Sequence, residues 1–382
     1  MYKTQNVRLK CLTMRVYFLG QTLIKITYMN ILFLGDVFLI YTKKRMFIMF
    51  FLLIILGALI GLNTLKEVSN KQKEEKEKIE EEEENKQAKQ LIEYKANQTI
   101  RVKLCGTGEI VAMDVNDYLR GVLPSEMPPY YNIEALKAQA IVARTYLYRK
   151  MSVKGEGEEC DICDNYAHCQ AFYNKEKILS IWKNKGYDDA LREEYWNNVN
   201  EAVVSTQDEV ILYNGEYIRA YFHASSPIKT ESSTEVWGRE YIPYLVSVEN
   251  KEAEDYANRQ STVEISYEEF LSKLKEKIDK NCNIESLKKG DIKINENTAS
   301  GRVKNISVCG NIISAELLRT VYGLRSTMFS LEETDSSIKF NVIGNGHGLG
   351  LSQVGADYYG KNGMDYKEII KHYYTGVEVV KL

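Results

Sequence analysis

Asp117–Lys150 reads DYLRGVLPSEMPPYYNIEALKAQAIVARTYLYRK, a proline-studded turn followed by a long helical repeat. Pro124 and Pro128–Pro129 bracket one carboxylate, Glu126. Proline fixes its own φ and drives the residue before it out of the helical region, so the bracket predicts a stiff hinge. A carboxyl on a stiff hinge can be aimed, as general acid/base chemistry requires. The bland reading is an exposed Glu in an ordinary turn. Downstream, Asn132 suits a helix cap and Glu134 the positive helix start, while Ile133, Leu136, Ala140, Ala143 and Leu147 recur as a buried stripe. Lys137 and Arg144, seven apart, project from nearly one face. Both would lower the pKa of a nearby carboxylate, the wrong direction for an acid, so they read as binders of an anionic ligand group. A solvated basic face is the alternative.

The chain has 382 residues, room for one large or two ordinary domains, and its net charge of −3 gives no electrostatic signature for nucleic acid. Met46–Leu62 is an unbroken apolar run long enough to cross a bilayer, preceded by Lys43, Lys44 and Arg45. The positive-inside rule then leaves residues 1–45 in the cytoplasm and sends the rest outside, as a retained anchor at the cell membrane. Part of 1–45 reads as an over-long start, with Met29 or Met46 as the alternative. Residues 63–97 are almost wholly charged and polar and read as a solvated stalk. An extracytoplasmic domain follows over 98–382.

Of seven cysteines, three cluster with a histidine as Cys160-x2-Cys163-x4-His168-Cys169. Three thiolates and an imidazole make a full tetrahedral set for a structural zinc ion. A disulfide with a spare thiol is the rival in an oxidising compartment. Further on, Glu209–Phe222 alternates as a hairpin turning at Asn214–Gly215. A polar loop then gathers Ser225, Ser226, Thr230, Glu231, Ser232, Ser233 and Trp237. Hydroxyls beside an indole suit a sugar site, and a flexible Ser/Thr loop is the alternative. Residues 251–335 read as a smaller lobe. In Asn345–Gly355, glycines let the backbone approach a ligand while His347, Ser352 and Gln353 project.

YLRGVLPSEMP, EALKAQAIVARTYLY, CxxCxxxxHC, SSxxxTESSTEVWG, SGRV, GLRSTMF, GHGLGLSQVGAD and EIIKHYYTG stand in this order. Together they resemble the stage II sporulation protein D family and its amidase-enhancer relatives, over about residues 100–382. The resemblance implies a lytic transglycosylase that cuts the MurNAc–GlcNAc bond of peptide-stripped peptidoglycan strands to 1,6-anhydro ends, in septal wall remodelling during engulfment. It assigns the catalytic glutamate to Glu126, and a partner amidase and a membrane scaffold protein as companions. Lys137 and Arg144 would then meet the lactyl carboxylate of denuded muramic acid. A non-catalytic amidase enhancer is the competing function. Two departures stand out. Metal-bearing members often pair two Cys with two His, whereas Cys160 stands here where a His is expected, and Pro227–Ile228 follow the paired serines in place of glycine. The expected fold is α+β, a mixed sheet with the Glu126 helix packed on it and a glycan cleft between the two lobes.

Overall fold

The computed structural model describes residues 19–26, 99–154, 159–236, 240–252, 260–274 and 287–382. The chain divides into two units, Met1–Glu83 and Glu84–Leu382. In the first, residues 19–26 are helical. No helix among the described residues is long and apolar enough to cross a membrane. The apolar run at 46–62, the stalk at 63–97 and Trp237 lie outside the described residues.

The second unit is built around one buried helix. The hairpin β1 (Thr99–Lys103) and β2 (Ile110–Asp114) leads into α1 (Val115–Glu126), whose cap Asp114 accepts from the Asn116 amide. Pro124 lies inside this helix, so the stiff segment is shorter than the prolines predict. The helix ends at Met127, held extended by the Pro128 that follows it. Then α2 (Ile133–Ser152) starts as expected at Asn132, whose side chain accepts from Glu134 N. Twelve of its twenty residues are buried, polar Gln139, Arg144 and Thr145 among them, so a single apolar stripe understates how enclosed it is. α3 (Lys175–Asn184) and α4 (Asp189–Ser205) pack against this pair, and α7 (Gln353–Lys361) and α8 (Tyr366–Tyr373) close the far side.

The strands form several small sheets instead of one mixed sheet. β1 pairs antiparallel with β2 and parallel with β3 (Ile162–Cys163). β4 (Glu209–Tyr213) and β5 (Glu216–Tyr217) make the expected hairpin, with Asn214 and Gly215 both at positive φ. Its return strand stops early. Residues Phe222–His223 (β6) instead pair with β13 (Leu351–Ser352), and β14 (Glu378–Lys381) joins the open edge of β4.

A second hydrophobic core defines the smaller lobe. It holds β7 (Gln260–Ser266), α5 (Tyr267–Leu274), β8 (Ile292–Asn297), β9 (Val303–Val308), β10 (Asn311–Ser314), α6 (Ala315–Tyr322), β11 (Phe329–Glu333) and β12 (Ser337–Ile343). Its centre is a stack of Phe270, Tyr322 and Phe340, with Phe270 and Tyr322 centroids 5.1 Å apart. The lobe runs beyond residue 335, because β12 is the central strand between β7 and β11.

Candidate active site and its cysteine neighbour

Glu126 is the last residue of α1 and half-buried. Two effects favour its neutral form. The helix C-terminus carries partial negative charge, and burial strips water from the carboxylate. Desolvation raises its pKa above the ordinary value, opposed by the hydrogen bond from the Ala171 amide to Oε1 at 2.6 Å. Arg144 and Lys137 do not set this balance.

The irregular segment after the cysteines holds the carboxyl. Tyr118 donates to Gln170 Oε1 at 3.4 Å and stacks on Phe172 at 5.5 Å, which seats Gln170–Phe172 across α1. Gly121 makes this approach possible. A Cβ there would strike the Phe172 ring and lie 2.6 Å from the Tyr173 carbonyl oxygen. Tyr146, on α2, donates to the His168 carbonyl at 3.4 Å and stands close enough to feel the charge of Glu126. Burial raises both phenols, so Tyr118 and Tyr146 remain neutral donors.

The cysteine segment is therefore continuous with the Glu126 site. Asn165 turns it, accepting from the His168 and Cys169 amides. Cys163, His168 and Cys169 bring their ligand atoms within 4.8 Å of one another. His168 Nδ1 lies 3.4 Å from Cys163 Sγ and 3.3 Å from Cys169 Sγ. Metal–ligand lengths of about 2.3 Å to sulfur and about 2.0 Å to nitrogen give a tetrahedral edge of about 3.5 Å, so these three fit a zinc ion. Cys160 is not in the gathered set, which corrects the fourfold reading of the motif. Cys105, just beyond β1, instead meets the side chains of Asp164 and Cys163.

Other expected site residues have different tasks. Arg144 is 1 % exposed, so it is closed to a ligand. It donates to the carbonyls of Val203, Thr206 and Glu209 and to Asn116 Oδ1, capping the C-terminus of α4. Lys137 pairs with Glu134 at 2.9 Å and Glu201 at 3.9 Å. The expectation that the two cations share a ligand-binding face is replaced by these roles.

Ser225, Ser226, Thr230, Glu231 and Ser352 are all buried. Glu252 accepts from Ser225 Oγ (2.5 Å), the Ser226 amide (2.6 Å), Asn250 Nδ2 (2.9 Å) and Ser352 Oγ (2.8 Å). Thr230 pairs with Val248, its N donating to the carbonyl and its Oγ1 accepting from the amide. Glu231 Oε2 accepts from Thr298 and Ser300 of the smaller lobe at 2.7 and 2.8 Å. Arg302 reaches back to Ser226 Oγ at 2.6 Å and packs on Gly348, where a Cβ would meet its guanidinium at 2.8 Å. Glu231 and Ser226 thus tie the two lobes together, the Glu252 and Thr230 bonds knit loops of the main lobe, and these buried side chains do not line a sugar surface.

His347 packs between Tyr221 and His223, its centroid 6.1 and 5.8 Å from theirs. Burial, with Arg319 and Arg302 nearby, pushes it down to about 3. Gln353 reaches Gln139 of α2 at 3.5 Å. Sequence reading missed Tyr118, Tyr146, Gln170, Glu252 and Arg302. Tyr118, Tyr146 and Arg302 lie inside the segments YLRGVLPSEMP, EALKAQAIVARTYLY and SGRV, whereas Gln170 and Glu252 carried no signal.

A two-lobed α+β chain with a desolvated, well-held glutamate beside a cysteine–histidine cluster defines the class as a candidate single-carboxylate site. A family model described as SpoIID, stage II sporulation protein, matches residues 105–213, which hold Glu126 and the cysteine cluster. Stage II sporulation protein D of Bacillus subtilis is 30% identical over 69% of this chain and 74% of its own length. An uncharacterised protein of Brachyspira hyodysenteriae is 34% identical over 70% of this chain and 67% of its own. The amidase enhancer of B. subtilis is 30% identical over 68% of this chain, which covers 39% of that protein. The chain belongs to the stage II sporulation protein D family.

Proposed function

We propose that this protein is a lytic transglycosylase of peptide-stripped peptidoglycan, with Glu126 as its one acid/base. The observation that carries this reading is the desolvated carboxyl of Glu126 at a helix C-terminus, pinned by the Ala171 amide. Hydrolytic glycosidases use a second carboxyl as nucleophile or to activate water. Glu231, the carboxylate of the polar loop, already accepts from Ser232, Thr298 and Ser300. A lytic cleavage needs one carboxyl only. Protonated Glu126 gives its proton to the glycosidic oxygen as the C1–O bond breaks. The resulting carboxylate then takes the proton from the muramic 6-hydroxyl as O6 bonds to C1, so no water is consumed and Glu126 is regenerated.

Cys163, His168 and Cys169 would hold a structural zinc ion that stiffens the segment carrying Ala171. The metal adds no step to the cleavage. The apolar run at 46–62, after Lys43–Arg45, supports a membrane anchor with the lobes outside the cell. A partner amidase that strips the peptides and a membrane scaffold protein fit this setting, the septal wall during sporulation. Likeness to an amidase enhancer favours a second reading, in which the chain grips glycan and stimulates that amidase.

The experiment incubates the protein with purified peptide-free glycan strands and reads product ends by mass spectrometry. Anhydromuramic ends support lytic cleavage, and free reducing ends support hydrolysis. Intact strands, with amidase activity raised in a coupled assay, support the enhancer.

A further inference from the structure

A cavity of about 180 Å³ opens beside the β4–β5 hairpin. Tyr213, Tyr217, Tyr241 and Tyr244 line it together with Arg149 and Arg219. Tyr241 is 64% exposed, and Tyr244 fixes the wall by accepting from the Arg219 amide at 2.9 Å. Sites that engulf a drug-sized ligand occupy roughly 300–1,000 Å³, so this one has room for a single sugar ring.

Its chemistry suits such a ring. A pyranose offers an apolar face of C–H groups, which stacks on an aromatic ring, and an edge of hydroxyls. Arg149 faces Glu216 at 3.8 Å and Arg219 faces Glu240 at 3.6 Å. Long, exposed pairs of this kind contribute little to stability, so they open readily to hydroxyls as donors and acceptors. Because each cation is matched by a carboxylate, the cavity has no preference for an anion. A neutral N-acetylhexosamine fits better than a sugar held by its acid group.

α2 carries residues of both places, Tyr146 near Glu126 and Arg149 in the cavity wall. Arg149 follows Tyr146 by three residues on α2, on the same face and about 4.5 Å along the axis. Tyr221 lies beside both Tyr146 and Tyr244. We infer that the Tyr241 cavity is a distal subsite that binds one N-acetylhexosamine ring of the strand whose bond is cut at Glu126. The inference rests on the glycan reading proposed above.

The test measures binding of chitohexaose to the full-length chain by calorimetry, with Glu126→Gln as the cleavage-dead parent. Adding Tyr241→Ala should raise Kd about tenfold, while Tyr241→Phe, which keeps the ring, should leave it unchanged. Equal Kd values for parent and Tyr241→Ala would overturn the subsite while the glycan reading stands. No binding by any of the three would overturn the subsite and count against the glycan reading too.

Discussion

The amide of Ala171 donates to Oε1 of Glu126 at 2.6 Å, tying the end of α1 to the segment that leaves the cysteine cluster. This bond joins two stretches 45 residues apart and ranks the parts of the molecule. Whatever fixes residues 163–173 also fixes the acid.

Gly121 is the first such part. A Cβ there meets the Phe172 ring and the Tyr173 carbonyl, and backbone cannot yield as a flexible side chain does. Gly121→Ala is expected to cost about 1–3 kcal/mol in urea unfolding, the usual penalty for overpacking. It should also reduce strand cleavage more than it reduces the folded fraction. Unchanged stability and activity would mean that the segment is not seated by α1.

The cysteine segment is the second. Zinc measured by elemental mass spectrometry on protein purified under reducing conditions should approach one ion per chain. Cys163→Ser and Cys169→Ser should lose it, and Cys160→Ser should keep it. Chelation should lower the melting temperature, since the bound metal stabilises only the folded state. Metal lost with Cys160→Ser would restore the fourfold motif as the ligand set.

Arg144 tests the correction of a ligand-binding role. Four acceptors surround its guanidinium. Arg144→Met should cost about 3 kcal/mol by leaving buried carbonyls without donors. Arg144→Lys should also destabilise, because an ammonium cannot span the fork. Lys137→Ala, at a partly exposed ion pair, should cost under about 1 kcal/mol. If Arg144→Met were as mild as Lys137→Ala, the capping account would fail.

The paired histidines set an acid limit. His347 is pushed down to about 3 and His223 well below its ordinary value, burial being the main cause for both, with Arg302 and Arg319 facing them. Folded-state values below the unfolded value of about 6.5 mean that the unfolded chain binds more protons in between. Stability from this pair is therefore full above about pH 6.5 and falls as pH drops toward 3. Melting temperature should decline across that window, and His347→Gln should flatten the decline. A parent curve level from pH 7 to 4 would contradict the burial of these rings.

Local signals were the legible part of the sequence. Asn132, the Asn214–Gly215 turn and the break before Pro128 all fell where residue chemistry put them, because each depends on neighbours within a few positions. The prolines marked the place where the helix ends at Glu126, although α1 continues through Pro124. Polar residues at 225–231 misled, because hydroxyls and carboxylates that suit a sugar equally suit a lock between two lobes. Only the three-dimensional pairing of Glu231 with Thr298 and Ser300, and of Ser226 with Arg302, separates these uses. The Cys160 assignment failed for a related reason: spacing along the chain does not decide which thiol turns inward.

Most directly, peptide-free glycan strands incubated with the parent protein and with Glu126→Gln would test the central claim. The glutamine keeps the acceptor for the Ala171 amide but cannot carry the proton. Anhydromuramic ends should form with the parent and fall by roughly 10²–10⁴-fold with the variant, its melting temperature holding or rising. Equal yields of anhydromuramic ends from both proteins would contradict the assignment of Glu126.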